Sequence, residues 1–503
     1  VSSPTAVWFK RDLRAADHRP LAEAAARGPV VPLYIVEPEI GGADDFSSLH
    51  WDFLRESLHE LNERLTELGA PLVVRQGEVV EVLEQLRRET GFTHLFAHEE
   101  TSNALGYSRD RRVRRWAKAN RIQFKEWPTN GVQRRLKNRD GWSREWERRM
   151  AEAITPAPER LQTATTLKSE PIPTSADLSL SQNQVERQSG GETPAHQTLE
   201  TFLAGRGRTY FKHLSSPVTA FDACSRLSPY LTWGNLSLRQ VVQSLRAAKA
   251  DLEGRRDKES TDWRRSFRAI DGRLHWRCHF IQKIEDEPEI ENHCFVRVLD
   301  GLREREFNAD HFEAWKAGQT GYPMVDACMR ALLATGWLNF RMRAMLASFA
   351  AYHLWLHWKP TAEITARTWL DYEPGIHYSQ FQMQSGTTGI NTIRIYSPTK
   401  QAQDHDPEGT FIRRWIPELR DVPGEFIHEP WNYGNLRATG NPLPVVDHAV
   451  AVKRARAKLT EARRQPEFRE EAREVQGRHG SRRKTSDRRP RSKPKSEQAS
   501  LFS

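Results

Sequence analysis

Residues 321–396 read GYPMVDACMRALLATGWLNFRMRAMLASFAAYHLWLHWKPTAEITARTWLDYEPGIHYSQFQMQSGTTGINTIRIY. Trp337, Trp355, Trp358 and Trp369 recur among Arg330, Arg341, Arg343 and many small residues, and an acid pair follows at Asp371 and Glu373. The stretches YPMVDACMRALLAT and FRMRAMLASFAAYHLWLHW read as helices. A helical apolar wall that also carries fixed cations suits a large, flat, anionic ligand.

Outward from this stretch, residues 200–445 keep the same character. SLRQVVQSLRAAKA, WRRSFRAIDGRLHWRCHFIQKIE and DHFEAWKAG are further helical segments, separated by turns such as LSPY, TGYP and DVPG. This predicts an all-α domain. Residues 1–150 differ. TAVWFK, PVVPLYIV, APLVVRQG and THLFAHEE read as buried parallel strands, with helical stretches such as SSLHWDFLRESLHELNERLTELG between them. The alternation predicts a doubly wound α/β domain with right-handed crossovers. No GxGxxG follows the first strand, which argues against the usual dinucleotide turn. Residues 151–199, rich in Pro, Ser, Thr and Gln, are expected to be a linker wrapped over the surface.

The net charge of +10 is concentrated at the C-terminus. From Val450 onward there are 17 Lys/Arg against 7 Asp/Glu, so this end alone accounts for the excess. Residues 446–503 are expected to form a basic, largely disordered tail, with possible helices broken near Pro466. It is either a solvated end or an arm that binds nucleic acid phosphates non-specifically. Four widely spaced cysteines without a CxxC pair argue against a zinc ribbon or iron–sulfur cluster. With no run of 18 apolar residues, no membrane span is expected. The simple expectation is a cytoplasmic monomer with reduced thiols.

Six stretches, in order, resemble the photolyase/cryptochrome family. They are WFKRDLRAADHRPL (8–21), SRLSPYLTWGNLS (225–237), LHWRCHF (274–280), HFEAWKAGQTGYPMVDACMRAL (311–332), WLDYEPGIHY (369–378) and the long segment 393–431 that begins IRIYSPTKQAQDHDPEGTF. The resemblance covers residues 5–445 apart from the linker. It implies an α/β antenna domain followed by a helical domain that holds FAD. It also implies light-driven repair of pyrimidine dimers in UV-damaged DNA or, alternatively, blue-light reception without repair.

The resemblance also implies roles for single residues. Tyr210, Ser225, Leu227 and Ser228 match cofactor contacts, with Cys224 where the phosphate loop usually has threonine. Arg277, Arg341, Asp371 and Glu373 match residues around the flavin, with Arg341 expected to pair with Asp371. His377 matches the residue facing flavin N5, usually asparagine. A histidine there is expected to titrate and alter which flavin radical is stable. Trp276 matches the tryptophan that stacks on a flipped dimer, and DNA contacts are expected from Arg226, Arg273, Arg343 and Arg394. Trp276, Trp358 and His377 are the expected catalytic residues. No metal is expected.

Several positions depart from the family pattern. Arg273 replaces a glutamate, Phe340 an asparagine and Ala344 a methionine. Gly106 stands where a folate-holding glutamate is usual, leaving the antenna chromophore open. Of the tryptophan relay only Trp358 remains, because Phe381 and Phe307 occupy the flanking steps. Trp355, Trp369, Tyr372 and Tyr378 are candidates for a different path.

Overall fold

Five strands form one parallel sheet: β1 (Thr5–Phe9), β2 (Val30–Val36), β3 (Val73–Gln76), β4 (His94–His98) and β5 (Gln123–Trp127), in the order β3-β2-β1-β4-β5. The computed structural model describes residues 3–163, 167–181 and 185–482. The first four strands are the apolar runs of the sequence. The fifth is an edge strand whose residues alternate between exposed and half-buried, so no continuous apolar run marks it. Helix α1 (Ser48–Leu68) ends at Gly69, with φ 107°. A Cβ there would meet the Leu161 carbonyl oxygen at 2.6 Å, because the linker crosses at this point.

The linker packs on both domains. The Trp51 indole donates to the Pro173 carbonyl (2.9 Å), and the Glu186 amide donates to the Ala334 carbonyl (2.9 Å). Helical structure resumes at Glu192, inside the stretch expected to be linker.

The Arg11–Arg14 loop joins the domains. Arg11 donates to the Tyr372 carbonyl (2.8 Å) and the Thr232 carbonyl (3.2 Å), and Arg14 donates to the Gly234 carbonyl (2.9 Å). Gly234, with φ 76°, lies so close that a Cβ would meet the Arg11 carbonyl oxygen at 2.2 Å. Asp12 accepts from both His18 (2.9 Å) and His98 (2.8 Å), while His18 Nδ1 accepts from the Leu21 amide and caps the short helix Arg19–Ala25. These three side chains are the one group of potential metal ligands among the described residues, and their hydrogen bonds make them a buried structural brace.

Three helices of the second domain frame a cavity, α2 (Lys258–Asp286), α3 (Phe340–Ser348) and α5 (Pro374–Ser385), and α4 (Trp358–Ala366) packs against α5 outside it. The Asp257 side chain caps α2 by accepting from the Ser260 amide. Gly375 lets α5 start against α2, where a Cβ would lie 2.6 Å from Ile281 Cα.

The basic C-terminal end is helical rather than disordered as far as His479. Helices α6 (His448–Ala462) and α7 (Pro466–His479) bury Ala455, Leu459, Ala462, Phe468 and Val475 against the helical domain. Pro466 opens α7, where its missing N–H is harmless. The strongly basic remainder, 483–503, lies outside the described residues. No helix among those described is long and apolar enough to cross a membrane.

Candidate functional site: a cation-bearing cavity in the helical domain

Three helices send matching faces into one cavity. Helix α2 supplies Arg273, Trp276, Arg277 and Phe280; α3 supplies Phe340, Arg343, Ala344 and Ala347; α5 supplies His377, Gln380, Phe381 and Gln384. Each set has the three- and four-residue spacing of a single helix face. The segment 224–228 closes another side with Cys224, Ser225, Arg226, Leu227 and Ser228, and Tyr210 adds a buried ring. The space, mouth included, is ≈ 1580 Å³ and its exposed wall is mostly apolar.

Deep in the cavity, charges are paired. Arg343 grips Asp371 with two bonds, Nη1 to Oδ1 at 2.9 Å and Nη2 to Oδ2 at 3.0 Å. Its Nε–H is donated to the Leu338 carbonyl (2.7 Å), and its guanidinium lies 4.1 Å over the Trp369 ring. Burial works against a charge on Asp371, but Arg343 overrides it and holds the carboxyl below the ordinary carboxylate range. Arg277 donates to Glu373 (2.9 Å), to the Leu231 carbonyl (3.1 Å) and to the Thr232 hydroxyl (3.3 Å). Arg226, with φ 59°, stacks 4.1 Å over Trp337. Burial pushes it down to about 10, so it remains charged at neutral pH.

The expected Arg341–Asp371 pair is not formed; Arg343 takes that role. Arg341 lies outside the cavity wall. Burial is the first cause of its lowered pKa, and Arg273 and Arg394 act in the same direction. Arg341 therefore lies near Arg273 and Arg394, and of the three only Arg273 lines the cavity. Arg394 is exposed, and Arg273 sits 6.0 Å from the Tyr210 ring and 5.9 Å from the Phe340 ring. Trp276 is the most exposed ring of the wall, at 37%. Behind it lie His279 (4.8 Å) and Phe280 (5.7 Å).

His377 is fully enclosed. It donates Nε2–H to the Ala362 carbonyl (2.8 Å), and burial pushes its pKa down to about 4. It is neutral at physiological pH, which corrects the expectation of a titrating histidine: the enclosure disfavours the imidazolium. Phe381 packs on His377 (4.8 Å). Trp358 lies outside the cavity, buried, with its indole N–H donated to Cys294 Sγ (3.4 Å).

The sequence reading missed Asn339 and Gln380. Asn339 Oδ1, both amide atoms of Gln380 and Glu373 Oε1 are buried and have no hydrogen-bond partner. Buried polar groups are costly unless bonded. Orphan donors and acceptors beside arginines in an apolar cavity fit a ligand with flat rings, hydroxyls and phosphates.

The comparisons with known proteins agree with that fit. Residues 5–134 match the model of the DNA photolyase domain, and residues 270–461 match the FAD binding domain of DNA photolyase. A deoxyribodipyrimidine photo-lyase of Streptomyces griseus is 30% identical over 484 residues, covering 92% of this chain and 99% of the relative. The chain belongs to the photolyase/cryptochrome family. Both branches are near relatives. Cryptochrome-2 of Arabidopsis thaliana is also 30% identical, over 89% of this chain and 77% of the relative. A bacterial class III photolyase from Agrobacterium tumefaciens superposes with a TM-score of 0.79 at 25% identity, covering 92% of this chain and 98% of that one. The cavity lies in the photolyase-type FAD-binding domain, and its orphan polar groups suit that cofactor.

Proposed function

We propose that this photolyase-family chain is a light-driven DNA repair enzyme that splits cyclobutane pyrimidine dimers and favours single-stranded DNA. The observation that carries this reading is the mouth of the cavity, where the partly exposed Trp276 stands on the same helix face as Arg273 and Arg277. An indole platform beside cations is what an extruded, stacked base pair and its phosphates require. Bound reduced FAD supplies the chemistry, an electron donated on excitation and returned after the ring opens.

The chain's residues bind, orient and exclude water. Arg343 and Asp371 form a rigid ion pair beside the cofactor, and the arginines around it favour a negative charge there. Arg277 positions Glu373 Oε2 and leaves Oε1 for a donor from the ligand. Ser225, Leu227, Ser228 and Tyr210 form the side suited to the phosphates and sugar. His377 and Phe381 give a neutral, enclosed floor. Trp276 stacks on the lesion, while Arg273, Arg341 and Arg394 hold the DNA backbone, with the basic segment 483–503 adding non-specific attraction.

A second cavity of ≈ 1530 Å³, mouth included, between the sheet and the helical domain, is lined by Glu37, Trp51, Gly106, Arg109 and Tyr372. We assign it to an antenna chromophore. A Cβ at Gly106 would lie 2.9 Å from Ser102 Cβ, so a chromophore there is held without a side chain at 106.

A cryptochrome-like photoreceptor is the second reading, favoured by Phe340 and Ala344 on the lesion side of the wall. Neither offers a polar contact to a base. The deciding experiment illuminates the chemically reduced holo-protein with dimer-containing oligo(dT). Light-dependent return of thymine absorbance is expected. None on either single- or double-stranded substrate would overturn repair in favour of reception.

A further inference from the structure

A flavin that must be reduced by light needs an electron donor within the protein, and the described residues offer few. Phe381 occupies the wall, and phenylalanine is hard to oxidise. Trp369 lies under the Arg343 guanidinium (4.1 Å). Trp355 lies between Arg303 (4.4 Å) and Lys458 (5.2 Å). A cation held over an indole opposes the positive charge that oxidation would create there.

Tyr372 is in the opposite situation. It lines both the flavin cavity and the second cavity. Its hydroxyl donates to Asp45 Oδ2 at 2.7 Å, and that same oxygen also accepts from the Asn103 amide (2.8 Å). The Tyr378 hydroxyl lies 3.3 Å from the Tyr372 oxygen, and the Tyr378 ring meets Trp358 edge-on at 6.3 Å. Burial keeps the Tyr372 phenol protonated far above neutral pH. An electron can therefore leave cheaply only if the proton leaves too, and Asp45 is an anion already bonded to that proton. Asp45 is half-buried, so it can pass the proton on to solvent.

We propose that Tyr372 is the immediate electron donor to the photoexcited oxidised flavin, with Asp45 as the proton acceptor. The inference rests on the flavin reading of the main cavity. One electron passes from the phenol to the flavin, the Tyr372 O–H bond breaks, and a new O–H bond forms on Asp45, leaving a neutral tyrosyl radical. A thiol from solution gives a hydrogen atom to that radical and restores the phenol. Asp45 releases its proton to water, and the thiyl radicals left by two such turns, which deliver two electrons to flavin, combine as a disulfide. Tyr378 and Trp358 lie behind Tyr372 as a second route for refilling it.

The test is flash illumination of the oxidised holo-protein, with dithiothreitol as reductant. The parent is expected to show the optical and paramagnetic spectrum of a neutral tyrosyl radical. Tyr372→Phe loses that spectrum and slows photoreduction about tenfold or more, with flavin content and melting temperature unchanged. Asp45→Asn keeps an oxygen for the hydrogen bond but removes the base. It is expected to slow photoreduction and to abolish the solvent deuterium isotope effect of the parent. An indolyl radical in the parent, or a Tyr372→Phe variant that photoreduces at the parent rate, overturns the proposal. If Tyr372→Phe loses flavin, Asp45→Asn decides, and a parental rate and isotope effect there overturn it equally. A purified parent without flavin absorbance would instead break the underlying cofactor reading, and that is visible before any illumination.

Discussion

The deep half and the mouth of the main cavity are built from the same helices by opposite rules. In the deep half Arg343 is matched to Asp371 and Arg277 to Glu373, while Arg226 is held over the Trp337 ring. Toward solvent, Arg273 and Arg394 lie near Arg341 and oppose its charge, while Asp404 favours it. Compensated charge suits a cofactor held permanently in one pose, because buried ions persist only when paired and bonded. A cluster of cations toward solvent suits a polyanion that arrives and leaves. The contrast places the permanent ligand inside and the transient one outside.

The largest effect is expected from breaking the deep half. Asp371→Ala leaves the partly buried Arg343 without its carboxylate partner, a loss expected to cost about 2–3 kcal/mol. Flavin content per protein and the denaturation midpoint should both fall sharply. An Asp371→Ala protein with parental flavin content would show that the deep pair is not part of the cofactor site.

Next comes acid sensitivity. The folded pKa of His377 is about 4 against an ordinary 6.5, so between those values the unfolded chain binds the extra proton. The contribution of His377 to stability is therefore fully present above pH 6.5 and is lost as pH falls toward 4. About 3 kcal/mol is at stake. His377→Gln should flatten the loss of unfolding free energy between pH 7 and pH 4 relative to the parent. Parallel profiles would mean that this imidazole already titrates normally in the fold.

The smallest effect belongs to the mouth. Arg394→Ala should leave flavin content unchanged and weaken binding to damaged and undamaged oligonucleotides alike. The salt slope of log K should drop by about one. A change confined to damaged DNA would move Arg394 from backbone attraction to lesion recognition.

Much of this division was legible in the sequence because helix periodicity exposes faces. Residues 273, 276, 277 and 280, and 377, 380, 381 and 384, fall on single faces before any coordinates exist. The choice between Arg341 and Arg343 was not legible from alternation of charge. Two residues apart on a helix, they point about 200° from each other, and only the inward direction separates them. The small apolar neighbours Ala344 and Ala347 share a face with Arg343 and were the available cue. Strand β5 escaped notice because an edge strand with a wet face lacks the apolar run that marked its neighbours. Helices around Pro466 were legible, but the docking of α6 was not, since its buried stripe is mostly alanine (Ala451, Ala455, Ala462), which weighs little in a hydrophobic pattern. The neutrality of His377 comes from burial by elements distant in the chain, which outweighs the bond to the Ala362 carbonyl, and no local pattern contains it.

The division between the two halves is tested most directly at Trp276, which belongs to the mouth alone. The measurement is the dark affinity of parent and Trp276→Ala holo-proteins for dimer-containing and undamaged oligo(dT), with the flavin-to-protein ratio taken on the same samples. The account predicts a loss of about 1–3 kcal/mol for the dimer substrate, little change for the undamaged one, and an unchanged flavin ratio. Equal loss of flavin and of dimer affinity would contradict it, by showing that Trp276 supports the cavity as a whole rather than reading the lesion.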